Sequence, residues 1–411
     1  MASVDGIVSL FLSLLSQAWI LKTLGFAILV GSVMALIEKS GGVEGFVDYA
    51  LNKKAFVRSP RSALMLSYII GVVIFIESSI TALIAGAVGK PFCTKYKIPH
   101  AKLAFVCDST SAPISSLIVL NGWGALLLGL ITTQVTLGII EGDSVEILID
   151  SVLYNFYAMS ALLVTFIYIL SGKDIGPMKN LKYIEKKTTT QTKFASLNYM
   201  ILPIISMIVL VFVFLYITGN GNLFKGSGSS SIFYTLVTTL VFMLIYYVMT
   251  GNMTTSTFAK TSLVGAKKLF PIAMILLFAF SIGKVTAELN TGLYLASLAN
   301  ENLSIHFLAA LIFILSSVIA FSTGTSFGTF SIMVPVAIPM AVGMDANVAL
   351  AIGAVISGGV FGDHCSPISD TTIISSMAAD CDVVEHIQTQ LPYAMISGVI
   401  AFSLFIGFSY L

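Results

Sequence analysis

The sequence predicts an all-α polytopic membrane protein made of two inverted-topology repeats, each with a re-entrant hairpin and a broken transmembrane helix. Three observations carry this. First, hydrophobic residues fill 57% of the 411 positions and charged residues only 10%, whereas soluble domains average about 25% charged; the mean hydropathy is +0.97. Second, the apolar C-terminal third is interrupted by Phe361-Gly-Asp-His-Cys-Ser-Pro-Ile-Ser-Asp-Thr-Thr372, which sets two carboxylates, a histidine and four hydroxyls around Pro367. Polar groups in hydrocarbon are costly unless they face a partner or a wet cavity, and proline interrupts the helical ladder. Third, Asp108-Ser-Thr-Ser-Ala-Pro-Ile-Ser-Ser116 is a weaker copy: both stretches read Asp, then Ser, then Pro-Ile-Ser, and paired breaks of this kind mark internal repeats.

Residues 1–17 form a short N-terminal segment, less than the roughly 20 residues a helical span needs. Residues 18–170 make repeat 1. Its first span, Ala18 to Ile37, leads into a loop with Lys39, Lys53, Lys54, Arg58 and Arg61, which belongs on the cytoplasmic side by the positive-inside rule. Residues 63–88 are apolar but interrupted by Glu77-Ser-Ser and Thr81, and the next loop is basic again through Lys90, Lys95, Lys97 and Lys102. A single crossing would put these two basic loops on opposite sides. A re-entrant hairpin tipped near Glu77 keeps both inside, and irregular backbone at depth is tolerated where protein buries it. Residues 103–140 form the broken helix, with the break expected at Asp108 to Pro113 and an acidic far end of Glu141, Asp143 and Glu146. Residues 147–170 return.

Residues 171–268 comprise a loop with six lysines and linker helices. Residues 269–411 make repeat 2. A hairpin at 304–342 carries the polar tip Ser322-Thr-Gly-Thr-Ser-Phe-Gly-Thr329, and the broken helix at 348–377 runs through Pro367. The order of span, hairpin, broken helix and span recurs with opposite orientation. The counterpart of a full first span would be the segment before Ala18, so an incomplete first span is expected.

Several classes are excluded. A formal net charge of +1 gives no electrostatic footprint for nucleic acid. The four cysteines show no CxxC spacing and support neither a disulfide framework nor a zinc site. The first apolar stretch lacks the basic n-region and cleavage site of a signal peptide. A hydrolase would have to rely on Cys365 beside His364, and the chain is not read as an enzyme.

The polar breaks are the candidate site. Free N–H groups at a half-helix start attract anions, and orphan carbonyls at a half-helix end attract cations. Carboxylate, hydroxyl and carbonyl oxygens together suit a small hard cation, and a carboxyl group withdrawn from water can trade that cation for a proton. Cation or proton binding is expected of Asp108, Asp363, Asp370, Glu77, Ser366 and Thr110. Substrate contact is expected of Ser78, Ser79, Thr81, Asn121, Thr323, Thr325, Ser326 and His364. The plainer alternatives are that the acids cap half-helices, that the hydroxyls bond back to i−4 carbonyls, and that His364 only packs. His306 and His386 fall near predicted helix ends and read as interfacial.

These motifs carry a resemblance. Gly362-Asp-His-Cys-Ser-Pro-Ile-Ser-Asp-Thr-Thr-Ile373, with Gln390-Leu-Pro-Tyr-Ala394, is similar to the C-terminal signature of the NhaC-type sodium/proton antiporters. Ser322–Thr329 resembles that family's Thr-Gly-Thr-Ser-Trp-Gly-Thr, with Phe327 in place of Trp. Lys102–Pro113 resembles its Lys-Leu-Ala…Asp-Ser-Thr-x-Ala-Pro. At the first hairpin, Phe75-Ile-Glu-Ser-Ser-Ile-Thr81 departs from the family's Phe-x-Asp-Asp-Tyr-x-Asn by one acid, the Tyr and the Asn. The resemblance implies a multi-pass protein of the cell (inner) membrane that exchanges Na⁺ for H⁺ at midplane carboxylates. It implies no cofactor beyond these coupling ions, and an elevator-like movement of one domain. The alternative is Na⁺- or H⁺-coupled transport of an amino acid or small carboxylate on the same fold. The expected partners are the bilayer, Na⁺ and H⁺, a small organic solute under the alternative, and a second copy in a homodimer.

Overall fold

The computed structural model describes residues 4–42, 45, 49, 57–75, 78–119, 121–184, 196–221, 226–288 and 304–410. Among these the chain is helical, and no strand occurs. The helices are α1 Val4–Leu15, α2 Ala18–Lys39, α3 Pro60–Val73, α4 Ser78–Tyr96, α5 His100–Leu117, α6 Gly122–Thr136, α7 Ser144–Leu153 and α8 Phe156–Ser171. After a 3₁₀ turn at Gly176–Asn180 come α9 Asn198–Thr218, α10 Gly228–Met249, α11 Thr255–Glu288, α12 Ile305–Thr323, α13 Ser326–Gly343, α14 Val348–Cys365, α15 Asp370–Ala379 and α16 Val383–Phe408. Among the described residues, seven helices are long and apolar enough to cross a bilayer, or eight if α5 and α6, bent by 48°, count as one span.

The chain divides into two compact units. The first holds residues 1–49, 125–133 and 190–285. Here α10 packs on α2 and α9, Ser32 Oγ donates to the Ser262 carbonyl at 2.8 Å, and Tyr247 Oη donates to the Tyr199 carbonyl at 2.5 Å. The outer face of α9 is apolar and exposed at Ile205, Val209, Phe212 and Tyr216, as a helix against lipid requires.

The second unit holds residues 50–124, 134–189 and 286–411. Local chemistry sets its helix ends. Ser59 and Ser62 close a reciprocal capping box on α3, with Pro60 at the first position. Asn347 caps α14, Ser369 caps α15 and Asp382 caps α16. Gly324 ends α12 in the left-handed region at φ +67°, where glycine carries no Cβ penalty.

Helices α3 and α4 pack against each other. Their outer ends also meet, where Tyr96 Oη donates to the Val57 carbonyl at 2.9 Å, so Arg58 and Lys97 lie at one end of the pair. Against α12, α14 presents Gly358 and Gly362. A Cβ on Gly358 would reach Ser316 Cβ at 2.7 Å and Ser317 N at 3.1 Å, and one on Gly362 would reach Ala320 Cβ at 2.7 Å. Small residues four apart let two backbones approach closely, as in membrane helix pairs.

One expected feature moves. Asp108–Pro113 lies inside a continuous, buried α5, and the break falls between Leu117 and Gly122. Pro113 costs one backbone bond, and the hydroxyls of this stretch support the helix instead. Thr110 Oγ1 donates to the Val106 carbonyl at 2.7 Å and Ser116 Oγ to the Pro113 carbonyl at 2.8 Å. The break is made by Asn121, whose amide donates to the Phe75 and Ser115 carbonyls and accepts from Trp123 N and Gly124 N. At Pro367 the chain does break, between Cys365 and Asp370.

Candidate functional site

Each break is met by a helix-pair turn. Asn121, at the α5–α6 break, holds the Phe75 carbonyl of the α3–α4 turn at 2.9 Å. At the α14–α15 break, Ser366 Oγ donates to the Phe321 carbonyl at 2.7 Å. A Cβ on Gly324 would meet the Ile368 carbonyl oxygen at 2.6 Å. The second meeting places the start of α13 beside the end of α14 and the start of α15, and that is where the acids gather their partners.

Asp363, in the last turn of α14, is fully buried. Its Oδ2 accepts from Ser326 Oγ of α13 and from Thr371 Oγ1 of α15, both at 3.1 Å. Ser326 Oγ also lies 3.2 Å from the Gly359 carbonyl. Two hydroxyls thus converge on one carboxylate, and a backbone carbonyl lies against one of them.

Asp108, at the middle of α5, is also fully buried. Its Oδ2 accepts from Gln390 Nε2 at 2.7 Å and Thr372 Oγ1 at 3.0 Å, and its Oδ1 accepts from Ser375 Oγ at 3.2 Å. His386 Nε2 stands 3.4 Å from Oδ2, with both side chains fully buried. Gln390 Nε2 also donates to the His364 carbonyl at 3.0 Å, and His364 Nδ1 pairs with Tyr157 Oη at 2.9 Å. Among the described residues, His364 Nε2, His386 Nδ1 and Gln390 Oε1 are buried without a hydrogen-bond partner.

The two acids are joined through α15. Thr371 and Thr372 are chain neighbours in its first turn, yet one serves Asp363 and the other Asp108. Ser369 fixes that turn by accepting from Thr372 N at 3.2 Å. A second link runs through Asn155, which donates to Ser116 Oγ of α5 at 2.8 Å and accepts from Ser357 Oγ of α14 at 3.1 Å.

Of the residues expected at the site, the structure brings together Asp108, Asp363, Ser326 and His364. It turns others elsewhere. Thr110 bonds within α5, Ser366 bonds the end of α12, and Asn121 spends its amide on the α5–α6 break. Thr81 donates to the Ile74 carbonyl, and exposed Thr323 bonds the Ile319 carbonyl at 2.8 Å. The Thr325 carbonyl accepts from Thr329 Oγ1 at 2.9 Å. Ser78 is buried in the first turn of α4. Glu77 lies outside the described residues, as do the side chains of Ser79 and Asp370.

The sequence reading offered Thr372 among the hydroxyls of the broken helix but passed over His386, Gln390, Ser375 and Tyr157 as members of this network. His386 does fall near a helix end, in the first turns of α16, but it is fully buried within the protein. It sits one turn before Gln390 on the buried stripe of α16 that continues through Tyr393 and Ser397. That i,i+4 spacing in an otherwise apolar helix was the available signal.

Comparison with known proteins bears on this geometry. The sequence model of the Na⁺/H⁺ antiporter family matches residues 121–410, which include Asp363 and its partners, His386 and Gln390. An uncharacterized protein of Haemophilus influenzae is 32% identical over 391 residues, 90% of this chain and 75% of that protein. The malate-2H⁺/Na⁺-lactate antiporter of Bacillus subtilis is 37% identical over 109 residues, 26% of this chain and 23% of that protein. Among solved structures, the YdaH transporter of Alcanivorax borkumensis is similar with a TM-score of 0.66 at 16% identity, covering 98% of this chain and 89% of that one. At that identity the likeness is one of fold.

Proposed function

The chain belongs to the Na⁺/H⁺ antiporter family, a multi-pass membrane transporter and not an enzyme, and from that premise we propose that it exchanges Na⁺ for H⁺ at two buried carboxylates with different tasks. The observation that carries the reading is the contrast between their partners. Asp363 is approached by hydroxyls, Ser326 and Thr371. A hydroxyl can turn and offer a lone pair to a cation, so this cluster suits Na⁺, with the Gly359 carbonyl as a further oxygen. Asp108 also accepts from two hydroxyls, Thr372 and Ser375, but it is approached besides by the Gln390 amide N–H₂, which only donates, and by His386. A cation gains little from such donors, whereas a proton can pass between a carboxylate and an imidazole. Asp108 with His386 is therefore the proton-carrying group.

The chain's two halves are read as inverted repeats, 18–170 and 269–411. What supports this is that each holds a packed helix pair, then a buried helix with an acid, then a break held by the pair's turn. In this reading the breaks lie near the bilayer midplane of the cell (inner) membrane. Asp370 and Glu77 stay in the proposal as further cation or proton groups.

A second reading is favoured by one observation. The α3–α4 turn, Phe75-Ile-Glu-Ser-Ser-Ile-Thr81, has fewer acids than the family's usual motif, and a relative carries malate and lactate by its name. Under this reading a small organic acid takes the place facing Ser78 to Thr81 while Asp363 keeps the coupling ion. Proteoliposomes with a trapped pH dye decide between them. An imposed Na⁺ gradient shifts the lumenal pH under the first reading. A pH shift that appears only with malate or lactate present would replace it with the second.

A further inference from the structure

Away from the carboxylates, a cleft of about 510 Å³ is lined by Ser59, Arg61, Lys97, Lys102, Tyr168 and Asp174 around an apolar floor of Leu64, Ile98, Pro99 and Ile169. Its cations come from the first turns of α3 and α5 and from the loop between α4 and α5, and its far wall from the end of α8 and the residues after it. Lys102 pairs with Asp174 at 2.7 Å, and Arg61 Nη2 donates to the Ser171 carbonyl at 3.2 Å while its side chain stays exposed. Lys97 is exposed and held in the left-handed region at φ +53°. Three cations against one acid leave the rim positive. The first turn of α5 adds to it, since Pro99 gives that helix no side-chain cap and its leading N–H groups favour an anion.

The surroundings say what kind of anion. From the cleft, α3 and α8 run side by side, joined by Tyr68 Oη on the Leu162 carbonyl at 3.2 Å. Their outer flank is apolar and exposed at Ile69, Val73, Leu163, Ile167 and Leu170. In a membrane protein that flank faces acyl chains. A positive rim at the end of an acyl-lined flank matches an amphiphile with a phosphate head, and the basic loops place it on the leaflet where anionic lipid accumulates.

We propose that this cleft holds the phosphate headgroup of an anionic phospholipid, with Arg61, Lys97 and Lys102 at the phosphate and the glycerol and acyl chains along Leu64, Ile169 and the α3–α8 flank. The lipid would tie together the starts of α3 and α5 and the end of α8, and so brace the helix that carries Asp108.

The test is retention of lipid by the full chain, purified from vesicles of phosphatidylcholine with phosphatidylglycerol and read by native mass spectrometry. Wild type should keep phosphatidylglycerol in preference to phosphatidylcholine. Each cation removed should weaken that preference about fivefold. Lys97→Asn is the first variant, because Asn tolerates positive φ and Lys97 bears no structural contact with the acids. Arg61→Gln with Lys97→Asn should erase the preference, with unchanged helicity by circular dichroism as the control for folding. Equal retention of the two lipids by wild type, or wild-type preference in both variants, overturns the proposal. Displacement of phosphatidylglycerol by millimolar inorganic phosphate also overturns it, since the cleft would then read a free anion and not a lipid.

Discussion

His386 Nε2 stands 3.4 Å from Asp108 Oδ2, and neither side chain has any exposed surface. The pair joins the middle of α5 to the first turns of α16, and Gln390, one turn further along α16, grips the same oxygen at 2.7 Å.

Replacing His386 by Gln keeps a donor near Asp108 but removes the imidazole from the proposed proton-carrying pair. Na⁺-driven pH change by His386→Gln should fall, while Na⁺ affinity set at Asp363 stays within about twofold. Dye-based antiport assays in proteoliposomes read this directly. A wild-type rate of pH change would mean that His386 only fills space.

Asp363→Asn preserves volume but removes the negative charge that a cation in this cluster would need. Na⁺-driven pH change should fall at least about tenfold, because a buried cation without a counter-charge is strongly disfavoured. Full activity in this variant would remove Asp363 from the ion path.

The neighbouring threonines separate the two tasks. Thr371→Val takes a hydroxyl from Asp363, and a hydrogen bond to a charged group is worth about 1.5–3 kcal/mol, so apparent Na⁺ affinity should fall about tenfold. Thr372→Val takes one from Asp108 and should leave Na⁺ affinity within about twofold while lowering the melting temperature. Measured KM values for Na⁺ in the two variants test the division, and equal losses would contradict it.

Gly362→Ala probes the close approach of α14 to α12. The new Cβ would meet Ala320 Cβ at 2.7 Å and the Phe321 amide nitrogen at 2.9 Å, neither of which can yield. Overpacking of this kind costs about 1–3 kcal/mol. Because Asp363 is the next residue, transport should fall along with thermal stability. Gly407→Ala, where a Cβ meets nothing within 4 Å, is the matched control.

The sequence made the membrane class, the helix content and the break at Pro367 readable, since hydropathy and proline act locally. It also pointed to Asp108, Asp363 and Ser326, because polar residues in apolar helices are costly and therefore visible. It misplaced the first break, because Pro113 resembled a helix breaker while the side chain that makes the break, Asn121, gave no local sign. It could not pair Asp108 with Thr372, Ser375 and Gln390, which lie 264, 267 and 282 positions away. Such pairings follow from how α15 and α16 pack on α5, and periodicity within one helix carries no information about its neighbours.

Thr371 and Thr372 are separated by a single peptide bond. A peptide unit is planar and stiff, so the first turn of α15 behaves as a short rocker with one acid at each end. A tilt that frees the Thr371 hydroxyl for an incoming ion also changes the reach of Thr372. Events at Asp363 would then be felt at Asp108 without a relay of intervening side chains, and the stiffness of that turn would govern how strictly one ion's arrival commits the other to leave.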